Sequence, residues 1–390
     1  MLTRLSLFAV ISLLVSACAP AATPAATPAA APTTAPVAAP TAGSVVSTFV
    51  PDVRPPASGG GVTPPTLAPK HAGSQLDSVK PLQGWEQLGS IKVPAARSDH
   101  ILIATGSFNR LVLFGGRSAG AAFKDTWIYD LAANAWHQVT SSIAPDARYG
   151  AGAAYDAASQ RVLIFGGQAG TKLFNDVWSF DVVSEQWGQI KTAGIAPAAR
   201  SGTAAAVDPE LHQLIISHGA AASGLADDTW TLDLATKVWQ NISSVTHPTA
   251  RSQHAATFDE LHQRFILFGG LDASNRLLNE QWSLDPALLI WRKFGTIAPD
   301  NPAPRSGTTL VYDPGTFIIY LFGGKTIGGV NNEVWSLDPG NHWLSISLGG
   351  GPVARSNHAA AWDSTNNRLL VFGGLDANNK PLNDLWAFTP

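Results

Sequence analysis

From residue 83 onward, polar and apolar positions repeat in short blocks. Apolar runs end in a glycine pair at Phe114-Gly115-Gly116, Phe165-Gly166-Gly167, Phe268-Gly269-Gly270, Phe322-Gly323-Gly324 and Phe372-Gly373-Gly374. One copy departs from this and reads Ser217-His218-Gly219. The runs are too short for helices and are bounded by Gly, Asp and Asn, the mark of strands joined by tight turns. In the second copy the pattern predicts strands at 150–155, 161–165, 176–180 and 186–190.

The final glycines fall at 116, 167, 219, 270, 324 and 374, a period of 50 to 54 residues. Two tryptophan columns keep the same period: Trp127, Trp178, Trp230, Trp282, Trp335 and Trp386, then Trp85, Trp136, Trp187, Trp239, Trp291 and Trp343. Of 13 tryptophans, only Trp362 stands outside them. A four-stranded sheet this small cannot bury both faces alone, so the copies must stack, with the indoles expected between them. Radial stacking into a ring leaves few free edges. The pattern enters at Trp85, a fourth-strand position, and stops at Trp386, a third-strand position. The expected fold is therefore all-β: a six-bladed propeller with four antiparallel strands per blade. An N-terminal strand starting at Trp85 completes the last blade.

This pattern resembles the kelch repeat, of the superfamily that includes the propeller domain of galactose oxidase. The likeness spans residues 85–390 and rests on the apolar run, the glycine pair, the two tryptophan columns and a Pro-x-Arg-Ser-x-His type of opening. It implies a scaffold that mostly binds ligands through loops at one end of the ring; a minority of such propellers are enzymes.

Charge changes the picture by exclusion. Lys and Arg total 25 against 28 Asp and Glu, a net charge of −3, and a nucleic-acid binder would need a basic face. The only cysteine, Cys18, ends the string Val15-Ser16-Ala17-Cys18 after Arg4 and an apolar stretch at 5–15. That arrangement resembles a bacterial lipoprotein signal; an ordinary signal peptide with a chance cysteine is the bland alternative. We expect residues 1–17 to be the signal peptide and Cys18 to carry the lipid. Residues 18–82 then form a disordered tether with proline at every fourth position from 20 to 40, and 83–390 the propeller. The expected location is extracytoplasmic, on a bacterial membrane reached through the lipid alone. Because galactose oxidase chemistry needs a tyrosine crosslinked to a cysteine, one committed thiol excludes it.

Six arginines open the first strands: Arg97, Arg148, Arg200, Arg251, Arg305 and Arg355. They form either a circle of free guanidiniums at the mouth of the ring or structural pairs with Asp125, Asp176, Asp228, Glu280, Glu333 and Asp384. Equal numbers at fixed spacing favour the structural pairs. Ligand selectivity should lie where copies differ, which singles out Asp99, Tyr149, His218, Gln253 and Asn357 as a polar mouth for a protein or carbohydrate ligand. His100, His254 and His358 come from separate copies and are read as ordinary repeat residues, so no metal site is expected. The recurrent aspartates read as turn formers, no catalytic motif is present, and no cofactor is expected. The expectation is a binding module; the alternative is a sugar-processing enzyme on the same fold, such as a sialic-acid epimerase-like protein.

Overall fold

The computed structural model describes residues 84–294, 301–346 and 349–390, so the expected signal peptide, Cys18 and tether lie outside the described residues. Six antiparallel four-stranded sheets follow one another along the chain. The first blade is Ile101–Ala104, Arg110–Phe114, Thr126–Asp130 and Ala135–Val139, and the second Gly152–Asp156, Arg161–Phe165, Val177–Asp181 and Gln186–Ile190. The third is Ala204–Asp208, Gln213–Ala221, Gly224–Asp233 and Trp239–Asn241, and the fourth Ala255–Asp259, Arg264–Phe268, Gln281–Asp285 and Ile290–Lys293. The fifth is Thr309–Tyr312, Ile319–Thr326, Gly329–Leu337 and Trp343–Ile346. The sixth takes Ala359–Asp363, Arg368–Phe372 and Leu385–Thr389 from the C-terminal segment and Gly84–Leu88 from the other end of the sequence. Trp85 opposes Phe388 and Gln87 opposes Trp386, which closes the ring. Main-chain ladder bonds thus span the two ends of the repeat array, where an open array would leave frayed edges.

There is no single core. Six apolar clusters each straddle two neighbouring blades; one joins Leu102 and Leu113 of the first blade to Leu370 and Phe372 of the sixth. In five of the six blades the glycine-pair phenylalanine meets the outer-strand tryptophan of the next. The ring centroids lie 5.0 Å apart for Phe114–Trp187, 5.5 Å for Phe165–Trp239 and Phe268–Trp343, and 5.2 Å for Phe322–Trp85 and Phe372–Trp136. The third-strand tryptophans were expected to be fully buried, but Trp178, Trp230, Trp335 and Trp386 are only partly so. Their indole N–H groups instead donate to Asp176, Asp228, Glu333 and Asp384.

Because strands alternate in direction, each innermost strand starts at one end of the ring, here the arginine end, and finishes at the other, the turn end. Loops joining second to third strands, and each blade to the next, gather at the arginine end. At the turn end, buried Asp156, Asp208, Asp313 and Asp363 accept backbone N–H groups two residues on, which forms the tight turns.

Candidate functional site at the arginine end

All six arginines are fully buried, and none forms a free guanidinium at the mouth. Arg97 donates to both oxygens of Asp125 at 2.7 and 2.8 Å, to the Gly115 carbonyl at 2.9 Å and to the Ala95 carbonyl at 2.9 Å. Arg148, Arg200 and Arg355 repeat this arrangement with Asp176, Asp228 and Asp384. Arg251 and Arg305 each reach one oxygen of Glu280 or Glu333 at 2.7 Å. The guanidinium beside each carboxylate holds it below the usual range against the opposing effect of burial, most for Glu280, which falls to about 2 with added bonds from Lys293 and Trp282.

Two residues past each arginine, the chain turns into the left-handed region: Asp99, Gly150, Gly202, Gln253, Gly307 and Asn357 all have φ between 55° and 66°. Their backbones form a collar around the axis. Gly150 N–H donates to Asp99 C=O at 2.8 Å, Gly202 to Gly150 at 2.8 Å, and Gln253 to Gly202 at 3.1 Å. Gly307 then donates to Gln253 at 3.0 Å, Asn357 to Gly307 at 2.8 Å, and Asp99 to Asn357 at 2.9 Å, which completes the circle. A positive φ favours Gly, Asn and Asp, so much of the copy-to-copy variation in this column has a backbone cause. Gln253 is the exception. Gly307 has a second constraint, since a Cβ there would collide with the Asn357 side-chain oxygen.

The collar surrounds a cavity of about 160 Å³ lined by Asp99, Gln253 and Asn357, together with Thr203, Thr308 and the buried His100, His254 and His358. Three of the five expected mouth residues therefore converge. Tyr149 lies beside them: Gln168 Nε2 donates to its hydroxyl at 2.6 Å, and the Arg117 guanidinium lies 4.6 Å from its ring centroid. His218 does not reach the mouth, which corrects the sequence reading. It is fully buried, hydrogen-bonded to Ser217 Oγ and the Pro248 carbonyl, with its ring 6.3 Å from Trp291. Ser217 stands where other blades have phenylalanine, and the His218 ring fills that place between blades three and four. Burial lowers its pKa to about 3. His100, His254 and His358 also pack between blades, against Phe372, His218 and Phe322, and burial lowers each of them.

The sequence reading missed the partners of Asp99. Arg117 Nε donates to its carboxylate at 2.8 Å, Asn357 Nδ2 at 2.8 Å and Ser98 Oγ at 2.9 Å. A continuous polar chain then runs Asn357–Asp99–Arg117–Tyr149–Gln168–Ser201 across blades six, one, two and three. Its signal lay in the residue after each glycine pair: Arg117, Gln168, Ala220, Leu271, Lys325 and Leu375. This column also varies, and each member is bridged to the residue after a buried arginine.

Residues 83–247 match the family model described as KLHDC2/KLHL20/DRC7 Kelch-repeats domain, and residues 217–390 match Attractin/LZTR1 beta-propeller. Among curated relatives, the chain is 28% identical to adagio-like protein 2 of Oryza sativa subsp. japonica over 307 residues, covering 72% of this chain and 48% of that protein. It is 29% identical to acyl-CoA-binding domain-containing protein 4 of Arabidopsis thaliana over 245 residues, covering 62% and 36%. The chain thus spans less than half the length of these relatives. With six in-phase copies, a ring closed by its own N-terminal strand and two family matches that together cover residues 83–390, the chain belongs to the kelch-repeat β-propellers.

Proposed function

We propose that the chain is a lipid-anchored, extracytoplasmic interaction module that captures a protein partner at the arginine end of its ring. The observation that carries this reading is the polar chain from Asn357 to Ser201, which occupies one sector of the mouth and spans four blades. A residue repeated in every blade supports the blade, whereas this sector is asymmetric and its groups are half-buried side chains that can exchange partners with a ligand. Arg117 with its 37% exposed side chain and Tyr149 are the residue types that dominate binding surfaces. The sugar-processing alternative would need an unpaired acid and base converging on one pocket. The mouth carboxylate, Asp99, is ion-paired with Arg117, and the histidines that border the cavity, His100, His254 and His358, are buried with their rings packed between blades.

Peptide and glycan arrays probed with the full chain test the partner class. Tyr149→Ala and Asn357→Ala should each weaken capture of the selected ligand by about tenfold or more; unchanged capture in both rejects the site. For the anchor, Cys18→Ala should move the protein from the membrane to the soluble fraction, and an unchanged distribution rejects lipidation at Cys18.

A further inference from the structure

The opposite end of the channel holds a larger space. A cavity of about 470 Å³ opens at the turn end, between the second halves of the six innermost strands and the turns that follow them. Its size lies within the range of small-molecule sites, roughly 300–1,000 Å³. The wall is mostly alanine and branched aliphatic side chains, with half-buried Tyr155 and three aromatic residues that present only a small part of their surface, Phe258, Tyr312 and Trp362. Trp362 is the one tryptophan outside the repeat, and it stacks on Tyr320 at an interplanar angle of 4°.

The charge of this lining is one-sided. Among the described residues it contains no Lys, Arg or His and two carboxylates, Asp156 and Glu260. Asp156 is engaged by the Ala158 N–H, Ser159 Oγ and His212. The basic side chains of the neighbouring turn, His262 and Arg264, both lie against Asp259, at 2.8 and 2.9 Å. Of Glu260 only the main-chain oxygen is engaged, by Gln263, so among the described residues its carboxylate has no cation partner. Partial desolvation at the rim of the funnel, with Asp259 alongside, raises its pKa.

We propose that the turn-end funnel binds a small cationic ligand with an apolar body, of the arylalkylamine class, with its ammonium group at Glu260 and its body on the aromatic wall. An ammonium supplies the charge that Glu260 lacks, and aromatic faces attract cations within about 6 Å of their centroids. An anion of the same shape meets an unpaired carboxylate and finds no partner in the wall. The site is independent of the arginine end, which the collar separates from it along the axis.

Calorimetric titration of the full chain with three probes of similar shape tests this: 2-phenylethylamine, 2-phenylethanol and 3-phenylpropionate. The amine should bind about fivefold more tightly than the alcohol, and the acid should give no measurable heat. Glu260→Gln, an exposed substitution, should bring the amine down to the level of the alcohol. Ala256→Leu, which fills the funnel, should abolish both, with circular dichroism confirming the fold. Tyr149→Ala should leave amine binding unchanged, so failure at one end is distinguishable from failure at the other. The assignment is overturned if the acid binds as well as the amine, if Glu260→Gln binds the amine at full strength, or if the amine gives no heat at millimolar concentration.

Discussion

The two ends of the ring are built on different physical terms. At the arginine end, six fully buried guanidiniums each pair with a carboxylate of their own blade, and a circle of backbone hydrogen bonds joins every blade to the next. At the turn end, the buried aspartates chiefly hold their own hairpins, with Asp156 also met by His212 of the next blade, and the six innermost strands part to leave a wide apolar funnel. The rigid end is narrow and polar; the loosely tied end is wide and greasy. The closed circle of interblade backbone bonds lies at one mouth, whereas the other is crossed only by separate side-chain contacts such as Arg110 to Glu185 and Arg264 to Asn341.

Acid should expose that difference most strongly. His100, His218, His254 and His358 all lie toward the arginine end, held neutral by burial, with His218 and His358 at about 3. The unfolded chain takes up protons near pH 6.5 while the folded chain does not. Stability is therefore complete above pH 6.5 and is lost as pH falls toward 3. By pH 5 the loss is about 2 kcal/mol each for His218 and His358, with His100 and His254 acting in the same direction. Urea midpoints measured from pH 7 to pH 5 should fall steeply, with hydrogen exchange rising first in the collar; a flat profile contradicts the burial of these rings.

Arg355→Met should come next, costing about 3–5 kcal/mol because Asp384 is left without its partner. Asp208→Ala at the turn end should cost only about 1–2 kcal/mol, the worth of turn hydrogen bonds. Equal costs in urea unfolding would erase the contrast between the ends. His218→Gly should cost about 2 kcal/mol through the space left between blades, and adding Ser217→Phe should restore most of it by rebuilding the aromatic joint to Trp291. If the double variant is no more stable than the single, His218 is not the stand-in for phenylalanine. The smallest effect is expected at Gln253→Gly, a gain of about 0.5–1 kcal/mol from relieving a left-handed backbone. A loss there would show that the glutamine side chain stabilises the collar.

Much of the architecture could be read from the residues in order. The strands expected in the second copy at 161–165 and 186–190 appear as Arg161–Phe165 and Gln186–Ile190. Trp85 pairs beside the last strand, because an unpaired third strand and a spare fourth strand have only each other. The candidate site was only partly legible. Asp99, Gln253 and Asn357 were found because they vary between copies, but the shared left-handed backbone that explains most of that variation is invisible in a one-dimensional pattern. His218 misled for a related reason: an unusual residue at a repeated position reads as function, when here it fills space beside Ser217, which replaces a phenylalanine.

Periodicity alone determined the blade count, the strand order and the closure, since each follows from a beat of 50 to 54 residues and from where that beat enters and leaves. Tertiary packing decided which polar groups are spent and which stay available. Arg97 and Arg117 carry the same charge, yet one disappears between a carboxylate and two carbonyls while the other stands half-exposed over Tyr149. The same holds for Asp259 and Glu260, adjacent in the chain, of which only the first meets a cation. Such outcomes depend on distances of about 3 Å between residues far apart in sequence, and a repeat pattern does not encode those distances.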